Sequence, residues 1–327
     1  MDLLKQIHRN AQEKNRHIVL PEGEDERMIL AASDIAKREL CEITIVGQEE
    51  SVSTMAEKNN VSLAGVHIID PAKSELLDTL SAMFYEQRKH KGITLEQAKE
   101  QVLQPLFFGA MMIKNGQVDG GVAGALNTTG DVLKAGLQCI GLAQGLSVVS
   151  GAFLMLVPSW HEPLSYADAG VCPNPKPNQL ASIAISTAKT HQKLTGNEPI
   201  VAMLSFSTMG SANHPMVDKV KEATEIVKEK APELKVDGEL QVDAALIEAI
   251  GKKKAPHSDV AGKANVLVFP DLNSGNIAYK LTERLAQAKA LGPLVQGLDK
   301  PFMDLSRGCS VEDIVNVVAI SCVIGDD

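Results

Sequence analysis

A run of twelve residues near the carboxyl end, DLSRGCSVEDIV from Asp304 to Val315, sets a hydroxyl, a guanidinium and a carboxylate around the start of a helix. Arg307 offers a planar fork of donors that matches phosphate oxygens, and Ser306 beside it can hydrogen-bond a developing negative charge. A helix start adds free N–H groups and a positive dipole end, so the combination is a stronger anion site than either part. Asp313 has two readings. It lies three residues after Ser310, just before the apolar run IVNVVAI, which is capping-box spacing; the same carboxylate also stands where it could take a proton. Arg307 likewise has a plainer reading, a surface salt bridge. Cys309, inside the same run, reads as a small neighbour of the site and not as a nucleophile.

Three more turns could hold an anion. In FYEQRKHKG, Phe84 to Gly92, adjacent residues cannot all face one ligand, so Arg88 is the candidate while Lys89, His90 and Lys91 stay in water. In GALNTTGDVLKAGLQ, Asn127, Thr128 and Thr129 bridge a strand and a helix, where hydroxyl and backbone donors serve either a phosphate or the helix cap. In SFSTMGSANHP, Ser207, Gly210 and Ser211 follow an apolar strand and could cradle an anion. Neither GxxxxGK[ST] nor GxGxxG occurs, which leaves a P-loop or a standard dinucleotide fingerprint unsupported. Eight histidines are scattered without HExxH, so no metal site is expected.

These turns need a scaffold to hold them. At 327 residues the chain exceeds what one core usually serves, and two domains are expected. Short β-rich runs, HIVLPEG, EITIVG, VHIID and GGVAGAL, alternate with stretches carrying apolar residues at three- and four-residue spacing, such as Asp25 to Leu40 and Thr94 to Gly116. This rhythm predicts an α/β fold with helices packed on a largely parallel sheet. A second region repeats it through SVVSGAFLMLVP, PIVAMLSFS, LQVDAAL and NVLVFPD. Gly292, Pro293, Gly297 and Pro301 mark a change of direction, so the last helix is expected to return to the first domain. The predicted division is 1–147 plus 297–327 for a discontinuous first domain and 148–296 for the second. The stretch from Lys252 to Lys263 reads as a solvated basic loop.

A hydrophobic fraction of 44% with 22% charged residues is that of a soluble protein, and no apolar stretch is long enough to span a bilayer. The amino terminus lacks the apolar core of a secretory signal, and five cysteines without a CxxC pair suggest no disulfide framework. A cytoplasmic setting is expected. A net charge of -9 argues against nucleic acid as a partner.

The chain resembles the phosphate acetyltransferase, or phosphotransacetylase, family along nearly its whole length. The resemblance rests on VLPEGEDER from Val19, RKHKG from Arg88, GALNTTGDVL from Gly124, DGELQVDAA from Asp237, FPDLNSGNIAYK from Phe269 and DLSRGCS from Asp304. It implies two α/β/α sandwich domains in an isocitrate/isopropylmalate dehydrogenase-like architecture, an active-site cleft between them, and a homodimer. It implies the reversible reaction of acetyl-CoA and phosphate to CoA and acetyl phosphate, with CoA a substrate and no permanently bound cofactor.

The family's serine, arginine and aspartate fall on Ser306, Arg307 and Asp313, and its arginine before KHKG on Arg88. A further family arginine falls on Lys134, which can supply charge but not a two-pronged phosphate contact. Asn127, Thr128, Thr129, Ser207, Gly210, Ser211, Tyr279 and Lys280 complete the expected substrate and CoA contacts. The implied mechanism has Asp313 take the CoA thiol proton and the thiolate attack acetyl phosphate directly, with no acyl-serine. From reference pKa values that proton transfer is uphill by roughly 6 kcal/mol, which the site must offset. Two related readings are a phosphate butyryltransferase and an acetyl-CoA-sensing regulatory domain. A metal-dependent decarboxylating dehydrogenase is a third, without the metal and nucleotide signatures it would need.

Overall fold

The computed structural model describes residues 3–325. In chain order the elements begin α1 (Leu3–Lys14), β1 (His17–Leu20), α2 (Glu26–Lys37), β2 (Glu42–Val46), α3 (Glu49–Lys58), β3 (Val66–Ile69), α4 (Leu76–Arg88), α5 (Leu95–Val102), α6 (Pro105–Asn115), β4 (Gly120–Ala123) and α7 (Thr129–Ala135). There follow β5 (Ser150–Leu156), β6 (Leu164–Ala167), α8 (Pro177–Thr195), β7 (Ile200–Leu204), α9 (Pro215–Lys230), β8 (Lys235–Leu240), α10 (Val242–Leu246) and α11 (Glu248–Lys254). The chain ends with β9 (Val266–Val268), α12 (Leu272–Leu285), β10 (Lys289–Gln296), β11 (Phe302–Asp304) and α13 (Val311–Ile324). Two compact units result: residues up to Gly141 with those from Leu298 onward, and Leu142–Gly297.

The first unit holds an all-parallel sheet in the order β11-β4-β1-β2-β3. From β1 the chain steps outward through β2 and β3, then returns to place β4 on the other side of β1, so the order reverses between β1 and β4. Loops at the carboxyl ends flanking such a switch point are where open α/β sheets bind ligands. Side chains alternate across the sheet: Val19 joins the core formed by α4 to α7, with Phe84, Phe107, Phe108 and Ile113, while Ile18 and Leu20 point to the opposite face. Helix α13, apolar nearly all round, packs on β1, β4 and β11 and is flanked by α1 and α2.

Local signals explain several boundaries. The apolar stretch between Thr94 and Gly116 is two helices: the first starts at a Thr94–Gln97 capping box, and Pro105 opens the second as its N1 residue. Gly116 ends it at φ 79°, a left-handed conformation that favours glycine.

The second unit holds a six-stranded sheet in the order β10-β5-β6-β9-β7-β8, parallel from β6 to β8 and antiparallel at β10 and β5. Val201 and Met203 of β7 pack with α8 and α9, while Ala202 and Leu204 face the opposite layer, with Ala245, Val260 and Phe269. Period-two alternation thus splits one strand between two helical layers, giving an α/β/α sandwich.

Three sequence expectations change. Gly292 and Pro293 do not end the strand character: Lys289–Gln296 forms the edge strand β10, and its pairing with β5 shifts register between Leu291 and Leu294, around that Gly-Pro pair. Edge strands and bulges are where a proline is tolerated, so breaker residues here mark a bulge and not a turn. Lys252, Lys253 and Lys254 are exposed as expected but form the last turn of α11; the irregular stretch after it keeps Pro256, His257, Asp259 and Lys263 exposed and is pinned by buried Ala255, Val260 and Ala261, so the segment is a helix end running into an anchored loop. The lysines suit that position because cations are favoured at a helix carboxyl terminus. LQVDAAL is not a strand either; β8 ends at Leu240, and Val242–Leu246 is a short helix.

Candidate active site

Three loops leave the carboxyl edge of the first unit's parallel sheet side by side, after β1, β4 and β11. The last carries Ser306 and Arg307, both exposed. Leu305 still donates its N–H to Ala123 at 2.8 Å, so the loop departs directly from the strand pairing. The turn closes with Cys309 N–H on the Ser306 carbonyl at 2.8 Å and Gly308 N–H on Ser306 Oγ at 3.3 Å. The Ser306 hydroxyl therefore accepts one bond within the turn and keeps its O–H as a donor. Among the described residues the Arg307 guanidinium has no carboxylate partner.

Asp313 stands at N3 of α13 in a complete capping box. Its Oδ2 accepts from Ser310 N–H at 2.9 Å and from Ser310 Oγ–H at 2.7 Å, while Ser310 Oγ accepts from Asp313 N–H at 3.2 Å. The capping reading of Asp313 is thus realised. It uses one carboxylate oxygen and leaves the group exposed.

Glu22 of the β1–α2 turn and Arg27 in the first turn of α2 hold these loops, and neither was singled out from the sequence. Glu22, 3% exposed, lies between the loops after β1 and β4. Its Oε2 accepts from Gly124 N–H at 3.0 Å and Ala125 N–H at 2.8 Å; Oε1 accepts from Leu126 N–H at 3.1 Å, Asn127 N–H at 2.9 Å and Asn127 Nδ2–H at 2.8 Å. Arg27 reaches further. Nη1 donates to the Arg307 carbonyl at 2.7 Å and the Cys309 carbonyl at 3.0 Å, and Nη2 donates to the Ala125 carbonyl at 2.8 Å. Asp25, itself the N-cap of α2, grips the same guanidinium through Nη2 at 2.7 Å and Nε at 3.0 Å. Burial pushes the Asp25 carboxyl up, but the Arg27 bonds outweigh it and the net direction is down. The string PEGEDER was the only available signal, and nothing in its spacing reveals partners a hundred or more residues away.

The β4 loop is largely committed to itself. Asn127 gives one amide N–H to Glu22, and Thr128 caps α7 in a capping box with Asp131. Thr129 donates its hydroxyl to Asp304 Oδ2 at 2.6 Å. Asp304 is 2% exposed, and its Oδ1 is buried without a partner. Burial pushes this carboxyl up to about 6, opposed by the Thr129 hydroxyl, assisted by the Glu22 charge, and opposed again by the Leu305 N–H. Gly124, at φ 108°, permits this closeness: a Cβ there would lie 2.6 Å from Asp304 Oδ1.

A cavity of about 620 Å³ opens beside the Glu22 brace, with Glu24, Gln48, Asp70, Asn127, Asp131 and Lys134 among its polar lining. That volume is in the range of small-molecule sites. Arg88 is not in this lining; it lines a separate cavity of about 380 Å³ with Phe84, Ile93, Gln97 and Gln138. The first unit thus brings Asn127 and Lys134 to one cavity and Arg88 to another.

The remaining expected contacts belong to the second unit. Ser207 is fully buried: its hydroxyl donates to Glu239 at 2.8 Å and accepts from Ala212 N–H at 3.0 Å, which makes it a brace of its turn and not an open anion contact. Gly210 N–H is likewise spent on Glu239 at 2.7 Å, and Ser211 Oγ accepts from Thr208 N–H at 3.0 Å. These bonds are why the expected cradle is closed: a buried carboxylate already occupies the donors. Tyr279 stacks on Phe153 with centroids 4.0 Å apart, and Lys280 Nζ lies 5.9 Å from the Tyr279 ring. Among the described residues no group of three or more His, Cys, Asp or Glu is placed to hold a metal ion, and no helix is long and apolar enough to cross a membrane.

Comparison with known proteins places these features in a family. Residues 2–322 match the family model described as phosphate acetyl/butaryl transferase. The phosphate acetyltransferase of Clostridium acetobutylicum is 52% identical over 99% of this chain and 98% of its own. Among solved structures, a phosphotransacetylase from Streptococcus pyogenes is 43% identical with a TM-score of 0.94, covering 98% of this chain and 97% of its own. The EutD phosphotransacetylase from Staphylococcus aureus is 41% identical with a TM-score of 0.92, covering 98% of each chain.

Proposed function

Because the chain belongs to the phosphate acetyl/butaryl transferase family, we propose that it interconverts acetyl-CoA and inorganic phosphate with CoA and acetyl phosphate. The observation that carries the chemical assignment is the exposed Ser306–Arg307 turn beside the start of α13, with an arginine fork that no carboxylate of the described residues occupies. An acyl phosphate carries its negative charge on a tetrahedral phosphoryl group, and the planar fork of a free guanidinium beside unpaired helix N–H groups can pair with two of its oxygens.

In the direction of thioester formation, Asp313 takes the proton of the CoA thiol. The thiolate sulfur then bonds to the acetyl carbonyl carbon, and the bond from that carbon to the bridging oxygen breaks, so that oxygen leaves with phosphorus as inorganic phosphate. Arg307 offsets the charge that gathers on the departing phosphate, and Ser306 donates its free hydroxyl hydrogen toward the same oxygens. Lys134, exposed on α7, adds a point charge, while Arg88, in its separate cavity, is proposed to meet another part of the substrates. CoA is a substrate in this scheme, and no permanently bound cofactor is required. The capping bonds to Asp313 Oδ2 hold the carboxylate still while the other oxygen remains available to the thiol.

The Tyr279–Lys280 surface of α12 is proposed to contact CoA. The same helix presents Ile277, Leu281 and Leu285, 58%, 53% and 80% exposed, at four-residue spacing on one face. Such an apolar stripe favours self-association, so a homodimer is proposed; five cysteines without a CxxC pair support a proposed cytoplasmic setting. Sedimentation at several protein concentrations checks the first: a monomer at micromolar concentration contradicts it.

Direct transfer and a covalent acetyl-enzyme differ in a partial reaction. The unaltered chain should form thioester from acetyl phosphate and CoA, with propionyl and butyryl phosphate as comparisons. Without CoA it should not exchange labelled phosphate into acetyl phosphate. Exchange in the absence of CoA would demand an acetyl-enzyme and refute direct attack.

A further inference from the structure

The start of α2 is far from the catalytic run in sequence, yet Arg27 in its first turn makes its bonds to that run's backbone. One nitrogen, Nη1, bridges the carbonyls of Arg307 and Cys309 on either side of Gly308, and the other, Nη2, holds the Ala125 carbonyl in the loop after β4. The two loops on which the site is built are therefore joined by a single planar group. Asp25 fixes that group in turn, with bonds to Nε and Nη2. All of these partners lie within the first unit.

The electrostatics set Arg27 apart from Arg307. Its charge is matched by Asp25 at 2.7 Å, an acid only 7% exposed, so the pair presents little net field to an incoming anion. The Arg307 guanidinium has no such partner among the described residues. We infer that Arg27 is a positioning residue for the transfer reaction: it sets the Ser306–Arg307 turn against the β4 loop, and through that turn the start of α13, without itself binding substrate. Glu22 fixes the β4 loop from the other side, so Arg27 works against a rigid reference.

This role has a kinetic signature. A residue that binds an anion by charge shows its loss in KM, and lysine restores part of it. A residue that sets geometry shows its loss in kcat, because small displacements matter most where reacting atoms must align. Lysine cannot stand in, since one nitrogen cannot reach two carbonyls in one loop, a third in another and the Asp25 carboxylate together.

The inference rests on the proposed acyl transfer, so that activity is measured first on the unaltered chain; its absence sinks the functional reading and not this one. Given activity, Arg27→Lys is compared in CoA-dependent thioester formation from acetyl phosphate. Positioning predicts a fall in kcat of about a hundredfold with KM for CoA and acetyl phosphate within about threefold. A kcat within about threefold of the unaltered chain, or a loss confined to KM, overturns it. Should Arg27→Lys fail to fold, Asp25→Asn decides: it leaves the guanidinium in place but loosens its anchor, and kcat should fall by about tenfold with KM again held. Unchanged kcat in folded Asp25→Asn overturns the inference.

Discussion

Glu22→Gln is the most informative single-atom change in this protein, because one carboxylate serves five N–H donors in a buried position. Glutamine keeps the shape and the burial but turns one acceptor oxygen into a donor. If the new amide nitrogen takes the Oε2 place, it faces the N–H groups of Gly124 and Ala125; if flipped, it faces Leu126 and both donors of Asn127. At least two donors lose their acceptor in either orientation. Hydrogen bonds to a charged group contribute roughly 1.5–3 kcal/mol each, so two lost bonds cost about 3–6 kcal/mol. The side chain is 3% exposed, which leaves little room for water to substitute. Urea unfolding of the two chains, followed by hydrogen exchange at the Gly124–Asn127 amides, reads both the global and the local loss. A destabilisation below about 1 kcal/mol with unchanged exchange at these amides would refute the brace, since that is no more than one ordinary neutral hydrogen bond.

Asp304 and Arg307 give two more tests. The Asp304 carboxyl rises from 3.8 to about 6 on folding because it is buried, so the folded state holds the proton more tightly. Its contribution is fully present below 3.8, is lost as pH rises through about 6, and amounts to about 3 kcal/mol. Asp304→Asn should remove that slope from the pH dependence of stability relative to the unaltered chain; parallel curves would contradict it. Arg307→Ala should reduce kcat/KM by about a hundredfold or more, and Arg307→Lys should recover only part, because a point charge does not reproduce a two-pronged contact. Full recovery by lysine in steady-state assays would contradict bidentate recognition.

What the sequence made legible was local. The Ser310–Asp313 box lies within one helical turn, so spacing alone finds it, and α13 begins where its cap places it; the turn at Thr128 and Thr129 was readable as either a cap or an anion contact, and Thr128 is the cap. The α/β rhythm was readable for the same reason, since each strand and helix carries its own period. The supports of the site were not readable. Glu22 finds its donors 102–105 residues away, and Arg27 reaches carbonyls 98 to 282 residues away. Only strand order brings those loops together. The Ser207 turn misled in the opposite sense: Ser, Thr and Gly after a strand suggest an open cradle, but buried Glu239, distant in sequence, fills it. At β10 the glycine and proline were read as a turn because a bulge on an edge strand uses the same residues.

The central claim is that Asp313 acts as the base in direct acyl transfer as well as capping α13. Asp313→Asn separates the two roles, because an asparagine oxygen can still accept from Ser310 N–H while the amide cannot take a proton. The decisive measurement is kcat for thioester formation from acetyl phosphate, taken alongside the CoA dissociation constant and the melting temperature of the variant. The account predicts a kcat lower by about 10²- to 10⁴-fold with CoA binding and melting little changed. A kcat within about threefold of the unaltered chain would leave Asp313 as a helix cap and place the base elsewhere.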